Sequence, residues 1–213
     1  MQELVDSLLV VVVLLNFQML GTSRMVAVIR SAALQGMVLG LLPVLGTPSP
    51  SFEQIVVCVG AIAIKGIIIP SLLFRAVRDS DVYREVEPIV GFTASLLLGA
   101  VGTGLALIFA RSLPLVEAHV DAFIVPASFS TVFTGFLILT TRKKAVTQVV
   151  GYLALENGIF IFGLLLLEAM PFLVEIGVLL DLFVAIFVMG ILLHHIQRTF
   201  TSVDSTQLST LKE

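Results

Sequence analysis

The chain has 213 residues, 58% of them hydrophobic and 13% charged, with a mean hydropathy of +1.10 and a formal net charge of −3. A soluble domain carries about 25% charged residues, so this composition places the chain in a membrane, and without a basic arm to grip a phosphate backbone nucleic acid is not an expected partner. The single cysteine, Cys58, rules out an intrachain disulfide framework, a CxxC metal site and an iron–sulfur cluster held by this chain.

The apolar runs are continuous and close to 20 residues long, whereas a barrel shows roughly 10-residue alternating segments. They predict an all-α integral membrane bundle of seven transmembrane helices, over 4–21, 25–45, 53–74, 88–110, 122–140, 146–167 and 172–195. The first run follows Glu3 and Asp6 instead of a basic region and has no small-residue cleavage site behind it, so it reads as a retained span and not a signal peptide. The connections are short: Arg24 in the first, Pro48-Ser49-Pro50 in the second, and a stretch of mixed charge from Arg75 to Glu87 in the third. The fourth span carries Ser95, Gly99, Ala100, Gly102 and Gly104, a small-residue face that lets another helix approach.

Basic residues orient the bundle. With the N-terminus outside, Arg24, Arg30, Arg75, Arg78, Arg84, Arg142, Lys143, Lys144, Arg198 and Lys212 share the inner side, Arg111 lies opposite, and Lys65 is within a span. The positive-inside rule then puts the C-terminus in the cytoplasm.

Three charges fall inside the spans, each costing roughly 2.5 to 3.5 kcal/mol at the centre of a lone helix. Glu156 is about ten residues, roughly 15 Å, from the inner start of the sixth span, and Asp181 about nine residues from the outer start of the seventh. Lys65 reaches a similar depth in the third span, and Gln35 and Asn157 join them to make a polar layer near the midplane. Burial penalises the charged form of each group unless it pairs. Two readings follow: a static pair of Lys65 with Glu156 or Asp181 that fixes the helices, or a relay that holds and passes a proton. Glu175, near the outer end of the seventh span, is either interfacial or part of the same path. Pro70 deprives the Gly66 carbonyl of its usual helical donor and is expected to kink the third span or to sit harmlessly near its end. His194 and His195 point about 100° apart, a poor pair for one metal ion, and suit a helix C-terminus.

Spans 1–3 and 5–7 show a similar order of features, with Gln35-Gly36 matching Asn157-Gly158 and Lys65 matching Asp181. The pattern suits a parallel repeat or a chance similarity of apolar helices.

The segment Gly151-Tyr152-Leu153-Ala154-Leu155-Glu156-Asn157-Gly158, followed by Leu173-Val174-Glu175-Ile176-Gly177 and Asp181, resembles the hydrogenase-4 component E family. Ala61 to Arg78, with Lys65, Pro70 and Arg75, and the tail Leu208-Ser209-Thr210-Leu211-Lys212 are similar to that family as well. Spans 5–7 further resemble the small K-type subunit of respiratory complex I, which has two mid-membrane glutamates. Glu156 matches the first, and Asp181 replaces the second with a side chain one methylene shorter. The resemblance divides the chain into an N-terminal four-helix part (1–118), a K-like three-helix part (119–197) and a cytoplasmic tail (198–213).

It implies a multi-pass subunit of the prokaryotic plasma membrane, in a complex-I-like hydrogenase or formate hydrogenlyase assembly. The expected partners are antiporter-like membrane subunits, the membrane anchor of the hydrogenase arm and the peripheral hydrogenase subunits. The nickel–iron centre and iron–sulfur clusters are expected in those partners, and no catalytic centre in this chain. Lys65, Glu156, Asp181, Gln35, Asn157 and Glu175 are then the residues expected to form a proton or sodium path. A structural spacer with a static buried pair and an independent small ion transporter are the alternatives.

Overall fold

A computed structural model describes residues 2–45, 52–79, 86, 88–113 and 123–164. Among them six helices are long and apolar enough to cross a membrane, and no strand is formed. The expected seventh span, with Glu175, Asp181, His194 and His195, and the tail lie outside the described residues.

Helix α1 is Gln2–Gly21 and α2 is Met25–Leu45. The third span is three pieces in series: α3 (Phe52–Ala61), a π-helical segment (Ile62–Ile68) and α4 (Ile69–Asp79). Helices α5 (Phe92–Ser112), α6 (Ile124–Thr141) and α7 (Ala145–Gly163) complete the set. Just before Pro70 the helical ladder changes to the π segment, where the Ile69 amide donates to the Ile64 carbonyl five residues back. Proline has no N–H to continue the ordinary ladder, and the wider turn accommodates that loss one residue earlier.

Helices α1, α2, α6 and α7 form the centre, with α5 against α1 and α6 on one flank and the third span against α2 on the other. The closest approach is between α6 and α7, and glycine makes it possible. A Cβ added to Gly151 would meet the Leu139 amide nitrogen at 2.7 Å, and one added to Gly158 the Val132 nitrogen at 2.5 Å. Without a hydrophobic force between helices in lipid, such backbone contact is a main source of association. On α2, Gly36 and Gly40 do the same for the π segment, where added Cβ atoms would meet Lys65 Cβ at 2.7 Å and Ile62 Cγ1 at 2.8 Å. Among the described residues the small-residue face of α5 is engaged in part: Ser95, Gly99 and Gly102 are buried, Ala100 is exposed, and no described atom lies within 4 Å of a Cβ on Gly104.

The apolar interior is split in two. One cluster gathers Met19, Leu20, Met25, Ile29, Leu73, Ile138 and Val150, and the other Leu9, Val12, Leu39, Leu42, Ala127 and Ile161. On α1, α2, α6 and α7 a polar residue falls between the members of the two clusters: Asn16, Gln35, Thr131 and Asn157.

The end of the bundle next to the first cluster is tied by Arg142. Its position in a basic turn suggests a solvated charge, yet it is 1% exposed. Nη1 donates to the Val90 carbonyl at 3.1 Å and to Ser95 Oγ at 3.3 Å, Nη2 donates to the Leu20 carbonyl at 3.1 Å, and the guanidinium lies 5.3 Å from the Phe92 ring. Burial pushes its pKa below the ordinary arginine value. Backbone bonds from Ile89 to Thr141 and from Val86 to Ser23 close the same end. At the opposite end, Asp6 on α1 accepts from the Phe123 amide at the start of α6.

Candidate functional site

Lys65, on the flanking third span, reaches inward because the π segment is pressed against Gly36 of α2. Its Nζ lies 2.9 Å from Glu156 Oε1 on α7, with side chains only 9% and 8% exposed. Of the two pairings left open by the sequence, the one with Glu156 is present. Nζ also donates to Asn157 Oδ1 at 3.3 Å and sits 5.4 Å from the centroid of the Phe160 ring. Glu156, Asn157 and Phe160 fall within five residues of α7, so neighbouring turns of one helix meet the ammonium together.

From this pair a line of side-chain amides crosses the bundle. Asn157 Nδ2 donates to Gln35 Oε1 at 3.1 Å, Gln35 Nε2 to Asn16 Oδ1 at 2.8 Å, and Asn16 Nδ2 to Thr131 Oγ1 at 2.8 Å. The Thr131 hydroxyl donates in turn to the Ala127 carbonyl at 2.7 Å. The line joins five spans at the level where the two apolar clusters part. Close by, Thr103 of α5 and Ser130 of α6 share a hydrogen bond of 2.7 Å.

Four expected site residues, Lys65, Glu156, Asn157 and Gln35, are thus brought together, while Asp181 and Glu175 lie outside the described residues. Two members were missed from sequence. Asn16 carries a usable signal, as an amide inside the apolar run from Leu8 to Leu20. Thr131 carries none, since a threonine in a membrane helix ordinarily bonds back to its own backbone, as this one also does.

Beside the pair, a small cavity with about 10 Å³ of room for a water centre is lined by Ile29, Ala32, Lys65, Pro70, Leu153 and Asn157 among others. That is space for about one water molecule next to two polar partners. On α2 its lining, Ile29 and Ala32, precedes Gln35, and on α7 it runs from Leu153 to Asn157, which puts it on the side of the amide line nearer the Arg142 end. Gly36 faces the π segment of the following span and, among the described residues, Gly158 faces α6 of the preceding one, while the counterpart of the π segment in the suggested repeat lies outside the described residues. Among the described residues no three His, Cys, Asp or Glu side chains group to hold a metal ion.

No protein-family model matches the chain, and no solved structure matches it. It is 34% identical over 189 residues to the Mycobacterium tuberculosis protein named "Uncharacterized protein Rv0085", covering 88% of this chain and 86% of that one. It is 36% identical over 78 residues to "Hydrogenase-4 component E" of Escherichia coli K12 and of Shigella flexneri, 37% of this chain and 36% of theirs.

Proposed function

The chain belongs to the family of the Mycobacterium tuberculosis protein Rv0085, and from its partial likeness to hydrogenase-4 component E we propose that it is a non-catalytic membrane subunit of a complex-I-like hydrogenase. In this reading it lies in the prokaryotic plasma membrane with its N-terminus outside, beside antiporter-like subunits and the anchor of the peripheral arm. The nickel–iron centre and iron–sulfur clusters belong to partner chains. The part from 119 to 197 supplies Glu156 and Asp181 to a proton or sodium path, and Lys65 supplies the cation between them.

The observation that carries this proposal is the ion pair of Lys65 and Glu156, buried where the apolar interior is interrupted and next to a cavity the size of one water. A carboxylate paired with an ammonium is a switchable element: when the ammonium turns toward another acid, the carboxylate takes up a proton or a cation in its place. Moving one charge against 100 mV costs about 2.3 kcal/mol, which the reaction in the partner subunits supplies.

The same pair also suits a spacer whose buried charges fix helix register. Sealed native vesicles separate the two. With Glu156→Gln or Lys65→Met in the intact complex, the path reading expects redox turnover to continue while the ion gradient collapses. Full gradients in both variants, with the complex intact by native gel and mass spectrometry, leave only the spacer. Migration of the chain without any partner subunit on that gel overturns both.

A further inference from the structure

The amide line has a direction, and its far end sets that direction. Thr131 has one hydroxyl hydrogen, which is used on the Ala127 carbonyl at 2.7 Å. Toward Asn16 it can therefore only accept, so Asn16 presents its NH2 there and its oxygen to Gln35. Gln35 must then present its NH2 to Asn16 and its oxygen to Asn157, which presents its own oxygen to Lys65. The near end demands the same order, because an ammonium only donates. All three amides are aligned with their carbonyl ends toward the charge, and hydrogen bonds in such a series polarise one another.

We propose that Asn16 and Thr131, which do not touch the ion pair, are positioning residues for it: the hydroxyl of Thr131 anchors the amide line so that its oxygens hold the Lys65 ammonium against Glu156. Without that hydroxyl, the Asn16 NH2 is left without its acceptor in a buried site. Reversal of Asn16 to find another acceptor sets its NH2 against that of Gln35, and the conflict passes to Asn157, whose oxygen then no longer faces Lys65. Among the described residues, the groups placed around the ammonium include Glu156, Asn157 and Phe160 on α7, Gly36 on α2, and Ile69 and Pro70 lining the cavity on α4.

The inference rests on the ion-path reading only for its biological purpose, and the test is independent of ion movement. Native membranes carrying the full complex are treated with the lipid-soluble reagent dicyclohexylcarbodiimide, which attacks carboxyl groups in their protonated form. The adduct on the peptide bearing Glu156 is then measured by mass spectrometry at one fixed pH. Thr131→Val keeps the shape and removes the hydroxyl, and it should raise labelling of Glu156 about two- to tenfold, the span expected from one lost link in a buried network. Thr131→Ser keeps the hydroxyl and should return labelling to the wild-type level. Ser130→Ala removes a neighbouring hydroxyl outside the line and should leave labelling unchanged. Asn16→Leu should reproduce the effect of Thr131→Val, and it serves if that variant does not assemble.

Wild-type labelling in both Thr131→Val and Asn16→Leu overturns the inference, as does an equal rise in Ser130→Ala, which would report general loosening. If labelling rises as expected while the gradient is indifferent to Glu156, the path reading falls and the positioning role stands. If the gradient depends on Glu156 while labelling never moves, the reverse holds.

Discussion

Removing both members of the buried pair should harm the fold less than removing either one. Lys65→Met deletes the 2.9 Å ion pair, the 3.3 Å bond to Asn157 and the contact with the Phe160 ring, and leaves Glu156 with a side chain 8% exposed. Breaking a buried pair by removing one member costs about 3–5 kcal/mol. Glu156→Leu takes the ion-pair partner from the ammonium, which keeps the Asn157 oxygen and the Phe160 ring, for a cost nearer about 3 kcal/mol. The double variant leaves one amide oxygen without its donor, about 1 kcal/mol. For a chain of this size these figures correspond to midpoints lowered by roughly 10 °C in each single variant and by about 3 °C in the double. Cys58 is the only cysteine and is 7% exposed, so a thiol-reactive fluorogenic dye reports thermal unfolding of the purified full chain in lipid discs without any added label. A double variant whose midpoint falls by the sum of the two singles would refute the reasoning, because the charges would then be paired in geometry but not in energy.

Arg142→Met should cost about 3 kcal/mol, since the carbonyls of Leu20 and Val90 lose a buried donor. Arg142→Lys should recover only part of this, because one ammonium cannot serve both carbonyls as the guanidinium fork does; limited proteolysis near the turn at residues 142–144 measures the order of the three. Gly158→Ala should lower the yield of folded chain, at a cost of about 2 kcal/mol or more, because its Cβ would press on the backbone of α6. Gly104→Ala, facing open space, should be neutral or slightly stabilising in the same yield assay.

The spans were legible because lipid forbids unpaired backbone and so demands long apolar helices; 25–45 is reproduced by Met25–Leu45, and the other five described spans start within about four residues of expectation. Lys65, Gln35, Glu156 and Asn157 were legible for the complementary reason, since each breaks an apolar run at a similar depth. Their partners were not, because which helices adjoin is decided by where Gly36, Gly151 and Gly158 allow backbone contact, and a single sequence does not say which neighbour each glycine meets. Arg142 looked like a topological marker among other basic residues, and its burial comes from two carbonyls, Leu20 at the end of α1 and Val90 before α5, brought beside the end of α6. The π segment left only Pro70 as a trace.

That segment gives the third span a kind of slack in its numbering. A π turn holds one more residue than the α turn it replaces, while each residue of an α-helix advances about 100° around the axis. Deleting a single residue between Ile62 and Ile68 could thus be absorbed by conversion to ordinary helix, with α3 and α4 keeping their faces. The same deletion within α3 would swing Phe52 and its neighbours around the bundle by more than a quarter turn. Sequence changes in length should therefore be tolerated in this span chiefly beside the lysine it carries, so that the residue most constrained in chemistry sits in the stretch least constrained in spacing.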